Sequence, residues 1–230
     1  IYVFANDCLW ASYNNGSSFW QINVTYPIGR AQAGGDAHMA LPNDGSAYYV
    51  DLLSNGLSIG RLPSGSNIWL NNGTVAANTY ADRPWLANDS TYVYVAYVEA
   101  PFNLVFHPIL AQRTIEIQRS PIGGAPLTGV PDFQPITLNL TKYDASPDFN
   151  IVGRSSNGSG QLIGPCDPAY ANGTAIAVFN SSTQGATWTV TNVTFSIDSA
   201  DVSLLESAID DAGNQYVVWA NASGNPPSGT

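Results

Sequence analysis

The chain has 230 residues, 44% apolar and only 10% charged, with a formal net charge of −10 and Lys142 as its single lysine. This length can bury a substantial core within one domain. The acidic balance, with no Lys/Arg cluster, excludes a surface that binds nucleic acid by neutralising phosphates, and no apolar run approaches the ~20 residues of a membrane-spanning helix.

Short runs rich in Val, Ile, Thr and Tyr, separated by Gly, Asn and Pro, predict an all-β chain. In order, strands are expected at Ile1–Phe4, Leu9–Ser12, Phe19–Thr25, Ala47–Leu53, Tyr92–Val98, Thr114–Gln118, Ile136–Leu140, Ala175–Phe179, Thr187–Phe195 and Gln215–Ala220. Turn signals such as Asn43-Asp44-Gly45, Asn71-Asn72-Gly73, Asn157-Gly158 and Asn172-Gly173 separate several of them. The nearest helix candidate, 199–209, reads better as a short turn followed by a strand. Gly164-Pro165-Cys166-Asp167-Pro168 reads as a rigid turn. One domain is expected over 1–222, with 223–230 as a Gly/Pro/Ser-rich tail.

Two distant segments carry one pattern. Ser12, Asn14, Gly16, Ser18 and Phe19 match Ser181, Thr183, Gly185, Thr187 and Trp188 at equal offsets, and each runs on into an Asn-Val-Thr triplet, at Asn23 and Asn192. Such self-similarity marks an internal repeat. A polar acceptor at the third position can bond the turn's own N–H groups, and the Gly can take positive φ without a Cβ clash. The aromatic ring that follows is expected to pack inward between sheets. The pattern resembles the Asp box of sialidase-like (BNR-repeat) β-propellers, with Asn14 and Thr183 in place of the Asp. Weaker echoes lie at Arg119–Leu127 and Ser54–Ile59, and the segments 82–87, 91–98 and 210–219 resemble inner strands of the same superfamily. The resemblance implies a β-propeller-like array of four-stranded antiparallel blades, about four to five units, either a ring of that size or part of a larger ring. Either the N-terminal strands complete a blade begun at the C-terminus, or the chain is a stretch of something larger.

Asn-x-Ser/Thr sequons occur at Asn15, Asn23, Asn72, Asn88, Asn139, Asn157, Asn172, Asn180, Asn192 and Asn221, where chance gives roughly three to four. Turn composition accounts for several, but not for those in expected strands. The chain is therefore expected to be an N-glycosylated extracellular or cell-surface protein from a eukaryote or an archaeon. Its few charges, against about a quarter in ordinary soluble proteins, suit acidic surroundings or a glycan coat. In an oxidising compartment its only cysteines, Cys8 and Cys166, are expected to pair.

A sialidase-type site needs three converging arginines, an acidic proton donor and a tyrosine activated by a glutamate. The arginines are Arg30, Arg61, Arg83, Arg113, Arg119 and Arg154, none in the Arg-Ile-Pro context of that family. Arg83, in Asp-Arg-Pro-Trp, and Glu206 are the candidates for ligand binding, though each also reads as a structural partner in a propeller channel. Glu99 and Glu116 are the other glutamates that could activate a tyrosine. His38 and His107 have no partners at zinc spacing, so no cofactor is expected. Asp210, Asp211 and Asn214 could hold Ca2+, but shaping their own turn is the simpler role. The expected function is a non-catalytic surface-layer, filament or adhesion component whose partners are proteins or glycans at the cell surface, with self-association. The alternative is a sialidase-like glycoside hydrolase or a carbohydrate-binding fragment of one.

Overall fold

A computed structural model describes residues 1–5, 8–22, 32–53, 56–66, 68–75, 80–100, 114–124, 132–136, 145–149, 152–153, 162–168, 175–194, 202–210 and 212–221. Among them every element is a strand, and all sheets are antiparallel. The first sheet holds β1 (Tyr2–Ala5), β2 (Cys8–Ala11) and β3 (Trp20–Ile22); the second, β4 (Gln32–Ala40), β5 (Ala47–Leu53), β6 (Gly56–Leu62) and β7 (Leu70–Val75). The third holds β8 (Tyr80–Asn88), β9 (Tyr92–Ala100), β10 (Thr114–Pro121) and β11 (Gln134–Ile136). In the fourth, β12 (Ala145–Phe149) and β13 (Val152–Gly153) both pair with β14 (Leu162–Pro168), which continues to β15 (Ala175–Ser181) and β16 (Thr189–Thr194). The last is the hairpin β17 (Val202–Ile209) and β18 (Gln215–Asn221).

Within each sheet the strands neighbour one another in chain order, except that β12 and β13 both line β14, and the leading strands of successive sheets meet, β4 against β8, β13 against β8, and β12 and β13 against β17. This is the expected propeller-like array, so the sheets are called blades one to five. Of the two arrangements of the chain ends, joining within one blade is not seen among the described residues, where β17 and β18 make a two-stranded sheet apart from β1–β3. Residues 164–168, expected as a turn, are strand instead, with Pro165 opposite Val178 and Pro168 opposite Ala145. Local proline content is overridden there by pairing on both sides. β4 and β6 were not legible because Gly, Ala and His dilute their pattern. Within 199–209 the described part, Val202–Ile209, is a strand, β17. The tail, 223–230, lies outside the described residues.

The core lies between blades. Strand alternation sends Tyr48, Val50 and Leu52 of β5 to a cluster shared with Val93, Val95 and Tyr97 of β9, while Ala47 and Tyr49 join Leu9 of β2. The opposite face of β9, with Tyr94, Ala96 and Val98, packs on Phe179 and Trp188 of blade four. Tyr48, Tyr49, Tyr94 and Tyr97 are fully buried, each removing a large apolar area from water.

Carboxylates or hydroxyls close the hairpins. Asp89, itself buried, accepts the Thr91 and Tyr92 N–H groups on Oδ1 at 2.6 and 2.8 Å and the Tyr94 hydroxyl on Oδ2 at 2.5 Å. Asp44 accepts the N–H and hydroxyl of Ser46 at 2.9 and 2.6 Å and faces Arg61 at 3.4 Å. Burial alone would raise its pKa, but the Ser46 bonds and Arg61 outweigh it and hold the group below its ordinary value.

The two repeated turns are wired alike. Ser12 Oγ and Ser181 Oγ each accept the N–H of the Gly four residues on, at 2.8 Å in both. Asn14 Oδ1 accepts from the Ser18 N–H at 3.0 Å, and Thr183 Oγ1 from the Thr187 N–H at 2.8 Å. Asn15 and Gly16 have φ of 57° and 86°, Gln184 and Gly185 of 56° and 84°, and positive φ at both central residues is what a type I′ hairpin turn requires. The aromatic rings differ. Trp188 packs on the core between blades three and four, whereas Phe19 is 43% exposed, correcting the expectation that both face inward. The reason is position: Trp188 has a preceding blade to pack on, and Phe19 has none among the described residues.

A Cβ on Gly16 meets only Ile1 Cδ1 at 3.5 Å, while one on Gly185 meets Ile136 Cδ1 and Cγ2 at 2.8 and 2.9 Å. Gly16→Ala is expected to cost about 1 kcal/mol from backbone strain alone. Gly185→Ala is expected to cost roughly 2–4 kcal/mol, because the core must also shift. Urea denaturation of the two variants checks both the order and the gap.

Candidate functional site

The hairpins just described, with Asp44, Asp89, the two repeated turns and the β17–β18 turn, share one rim. At the opposite rim lie the start of β8, the end of β9 and the start of β10, where Ala81 pairs with Glu99 and Glu99 with Thr114. The described residues that offer chemistry gather at this second rim and along the inner strand β8.

β8 is interrupted. Its pairing with β9 shifts between Asp82 and Trp85, and Arg83 has φ of 47°. Every other non-glycine residue of positive φ among those described sits in a hairpin turn, whereas Arg83 lies within a strand. A bulge with a left-handed residue re-aims a side chain and stores about 1–3 kcal/mol. Asp82 braces it: Oδ1 accepts the Arg83 N–H at 3.0 Å and Oδ2 the Tyr80 hydroxyl at 2.9 Å.

On the neighbouring strands Glu99 and Glu116 lie diagonally on one face, with Glu116 opposite Tyr97. Burial pushes the Glu116 carboxyl up, outweighing the lowering bond from the Thr114 hydroxyl, and the charge of Glu99 adds a smaller push in the same direction. A carboxyl biased towards its protonated form beside a second carboxylate can donate and accept protons. Tyr97 is not an activated nucleophile. Burial and then both glutamates raise its pKa, and Gln118 Nε2 donates to its hydroxyl at 2.9 Å.

The described arginines do not converge. Arg61 on β6 is tied to Asp44 and lies 5.9 Å from the Tyr48 ring centre. Arg119 on β10 lies 4.5 Å from the Tyr92 ring centre and donates to the Gln184 carbonyl of blade four. Both serve the hairpin rim, away from Arg83. Arg30, Arg113 and Arg154 lie outside the described residues, as does His107. Glu206 is on β17 opposite Val218, at a register shift, with its side chain outside those described. Asp210 accepts the Asn214 N–H and side-chain amide, both at 2.8 Å, and the Tyr216 hydroxyl at 3.0 Å. Its oxygens thus shape the turn; Asp211 lies outside the described residues.

Of the sequon residues, Asn15 is exposed at a turn, Asn88 is half-buried and donates to the Asp89 carbonyl at 3.3 Å, and Asn180 is half-buried with a buried Oδ1 lacking a described partner. Asn72, Asn192 and Asn221 lie on β7, β16 and β18 with side chains outside those described, and Asn192 is therefore on the outermost strand of its sheet. Asn23, Asn139, Asn157 and Asn172 lie outside the described residues. Cys8 and Cys166 lie on β2 and β14, in separate sheets, with side chains likewise outside.

Sequence reasoning passed over His38. The Leu86 N–H, on the inner edge of β8, donates to His38 Nδ1 at 3.1 Å, and the imidazole lies 4.8 Å from the Trp85 ring. This fastens blade two to blade three. Neither a partner nor a spacing in the sequence signals it, because the recipient is a backbone group.

No protein-family model and no curated protein matches the chain. Similar solved structures include an alpha-L-arabinofuranosidase, Arb93A, from Fusarium graminearum, at TM-score 0.51 and 12% identity, covering 96% of this chain and 63% of that one. Another is an engineered GH43 glycoside hydrolase with endo-xylanase and exo-arabinofuranosidase activity, at TM-score 0.47 and 12% identity, covering 93% of this chain and 42% of that one. The chain thus spans less than two thirds of the length of either. The fold is that of the β-propeller, while the finer likeness expected, to sialidases, is not shown. The comparisons also correct the expected function. The similar structure at TM-score 0.51 is an arabinofuranosidase, which speaks against a non-catalytic surface-layer, filament or adhesion component and favours the alternative.

Burial lowers the His38 pKa to about 4 from an ordinary 6.5. The folded state then binds fewer protons than the unfolded one between these values. The contribution of His38 is present above about pH 6.5 and is lost as pH falls towards 4, up to about 3 kcal/mol. Melting temperatures between pH 7 and 4 are expected to fall steeply in the wild type and less so in His38→Gln, which keeps an acceptor without titrating.

Proposed function

We propose that the chain is the greater part of a carbohydrate-active β-propeller of the glycoside hydrolase kind, which engages a neutral, pentose-containing glycan at the rim formed by β8, β9 and β10. The observation that carries this reading is the Asp82–Arg83 bulge. A left-handed arginine within an inner strand costs stability and is retained where something over-determines it, which is the usual situation of a ligand-binding group. The likeness to an arabinofuranosidase over nearly the whole chain supports a sugar as that ligand. Asp82 and Arg83 would hydrogen-bond sugar hydroxyls, and Glu116 with Glu99 would supply a proton donor beside a carboxylate on the same rim. The described arginines, Arg61, Arg83 and Arg119, stand apart, which disfavours a sialoside, whose carboxylate needs several arginines together.

An N-glycosylated, extracellular protein with a Cys8–Cys166 bridge fits an enzyme acting on an external polysaccharide, and the density of sequons supports that setting. The bridge has a direct check: a thiol assay under denaturing, non-reducing conditions is expected to find none free, and two per chain would dismiss it.

For the main reading, purified protein is titrated with arabinoxylan-derived oligosaccharides and with sialyllactose, and assayed on aryl α-L-arabinofuranosides and β-xylosides. Binding or turnover of the pentose probes is expected, with none for sialyllactose. Arg83→Ala is expected to weaken oligosaccharide binding at least tenfold, and because alanine carries the same left-handed backbone strain as arginine, its melting temperature is expected to hold. Equal binding by wild type and Arg83→Ala, or preference for sialyllactose, rejects the assignment.

A further inference from the structure

Arg61 and Arg119 stand on the third strands of neighbouring blades, each beside a tyrosine ring, and their charges are answered differently. Arg61 faces Asp44 at 3.4 Å, whereas among the described residues no carboxylate forms an ion pair with Arg119. The Arg119 guanidinium is half-buried, with the Tyr92 ring 4.5 Å away on one side and the Gln184 carbonyl accepting a bond from Nη1. Its Nε and Nη2 groups, one planar fork of donors, have no hydrogen-bond partner among the described residues. A cation partly withdrawn from water and lacking a counter-ion gains from an anion brought to it.

The same arginine lines a cavity of about 210 Å³ between blades three and four, with Pro135 and Ile136 of β11 on one side and Gly185 and Ala186 of the second repeated turn on the other. Each of these blades has a described neighbour on both sides, so the cavity is internal to the array. The turn offers it no donor. The Gly185 N–H is spent on Ser181 Oγ at 2.8 Å and the Ala186 N–H on the Thr183 carbonyl at 3.1 Å, and Pro135 has no N–H at all. Of the five lining side chains only that of Arg119 is polar. The volume falls below the roughly 300 Å³ at which pockets for drug-sized ligands begin, which limits an occupant to the size of a single sugar or amino acid.

We propose that this cavity binds the carboxylate or phosphate group of a small ligand, with Arg119 donating from Nε and Nη2 to two of its oxygens. A guanidinium fork matches such oxygens in pairs. Tyr92 and Gln184 hold the side chain in place before a ligand arrives, so little rotamer freedom is lost on binding. The site lies on the hairpin rim and stands independently of the sugar reading of the rim formed by β8, β9 and β10.

The test titrates the full chain calorimetrically with sodium glucuronate, with inorganic phosphate and, as a neutral control, with glucose. Saturable one-to-one binding of at least one anion is expected, with none of glucose, and the anion that binds more tightly identifies the source of the oxyanion. Ala186 is exposed, so Ala186→Glu and Ala186→Lys are both expected to fold as the wild type does, which circular dichroism verifies. Ala186→Glu sets a carboxylate beside the guanidinium and is expected to weaken anion binding at least tenfold, while Ala186→Lys tightens it severalfold. Neither substitution disturbs the contacts of Arg119 with Tyr92 and Gln184. A wild type that binds neither anion, glucose bound as tightly as the anions, or the same effect from both Ala186 substitutions would overturn the proposal.

Discussion

A sheet that is apolar on both faces has to be covered on both, and the arrangement of this protein depends on that constraint. All seven residues of β5 are buried, and successive side chains enter different cores. The strand can be satisfied only between two other sheets. β9 obeys the same rule, with Val93, Val95 and Tyr97 facing blade two and Tyr94, Ala96 and Val98 facing blade four. Stacking of this kind fixes the order of blades and makes each interface a core in its own right.

Sheets stacked face on face leave their hairpins and inner edges exposed to water, and polar chemistry concentrates there. Asp44, Asp89 and Asp210 each saturate a turn with short bonds, and the serines of the two repeated turns do the same with hydroxyls. Buried Asp89 is tolerable because it accepts three hydrogen bonds, which offset the desolvation of its charge. Edges are handled separately. His38 reaches from β4 to the free N–H of Leu86, so one inner strand is secured to the next by a side chain and not by a ladder. This wiring needs few charges, in keeping with a chain in which only 10% of residues carry one.

The same architecture separates structural from chemical rims. Arg61 and Arg119 lie over tyrosine rings at the hairpin end and lock turns in place. Asp82, Arg83, Glu99 and Glu116 stand at the other end, where β8 breaks its pairing. Sequons and a low charge describe a surface and its surroundings; they do not report on a site. An inference from them to an inert structural role therefore went further than those features allow, and the likeness to an arabinofuranosidase speaks against it.

Particular residues mark the boundary of what was legible. The repeat at Ser12 and Ser181 was visible because a type I′ turn closed by its own side chains is a local object, specified within eight residues. Strand runs such as Tyr92–Val98 were legible for the same reason, through alternation and β-branching. The Asp44 and Asp89 hairpins offered a signal that was only partly used, an Asn-Asp pair ahead of a tyrosine-bearing strand. The strands at 32–40 and 162–168 were hidden, since glycine and proline argue against a strand until neighbours on both sides supply its hydrogen bonds. The exposure of Phe19 against the packing of Trp188, the left-handed Arg83 and the bond from Leu86 to His38 lay beyond local reading. Sequence determined the turns and the alternation, because short-range sterics and hydrogen bonds suffice for them. Only the tertiary structure decided which faces found a partner and which polar groups shared a rim, because those outcomes depend on sheets brought together from distant parts of the chain.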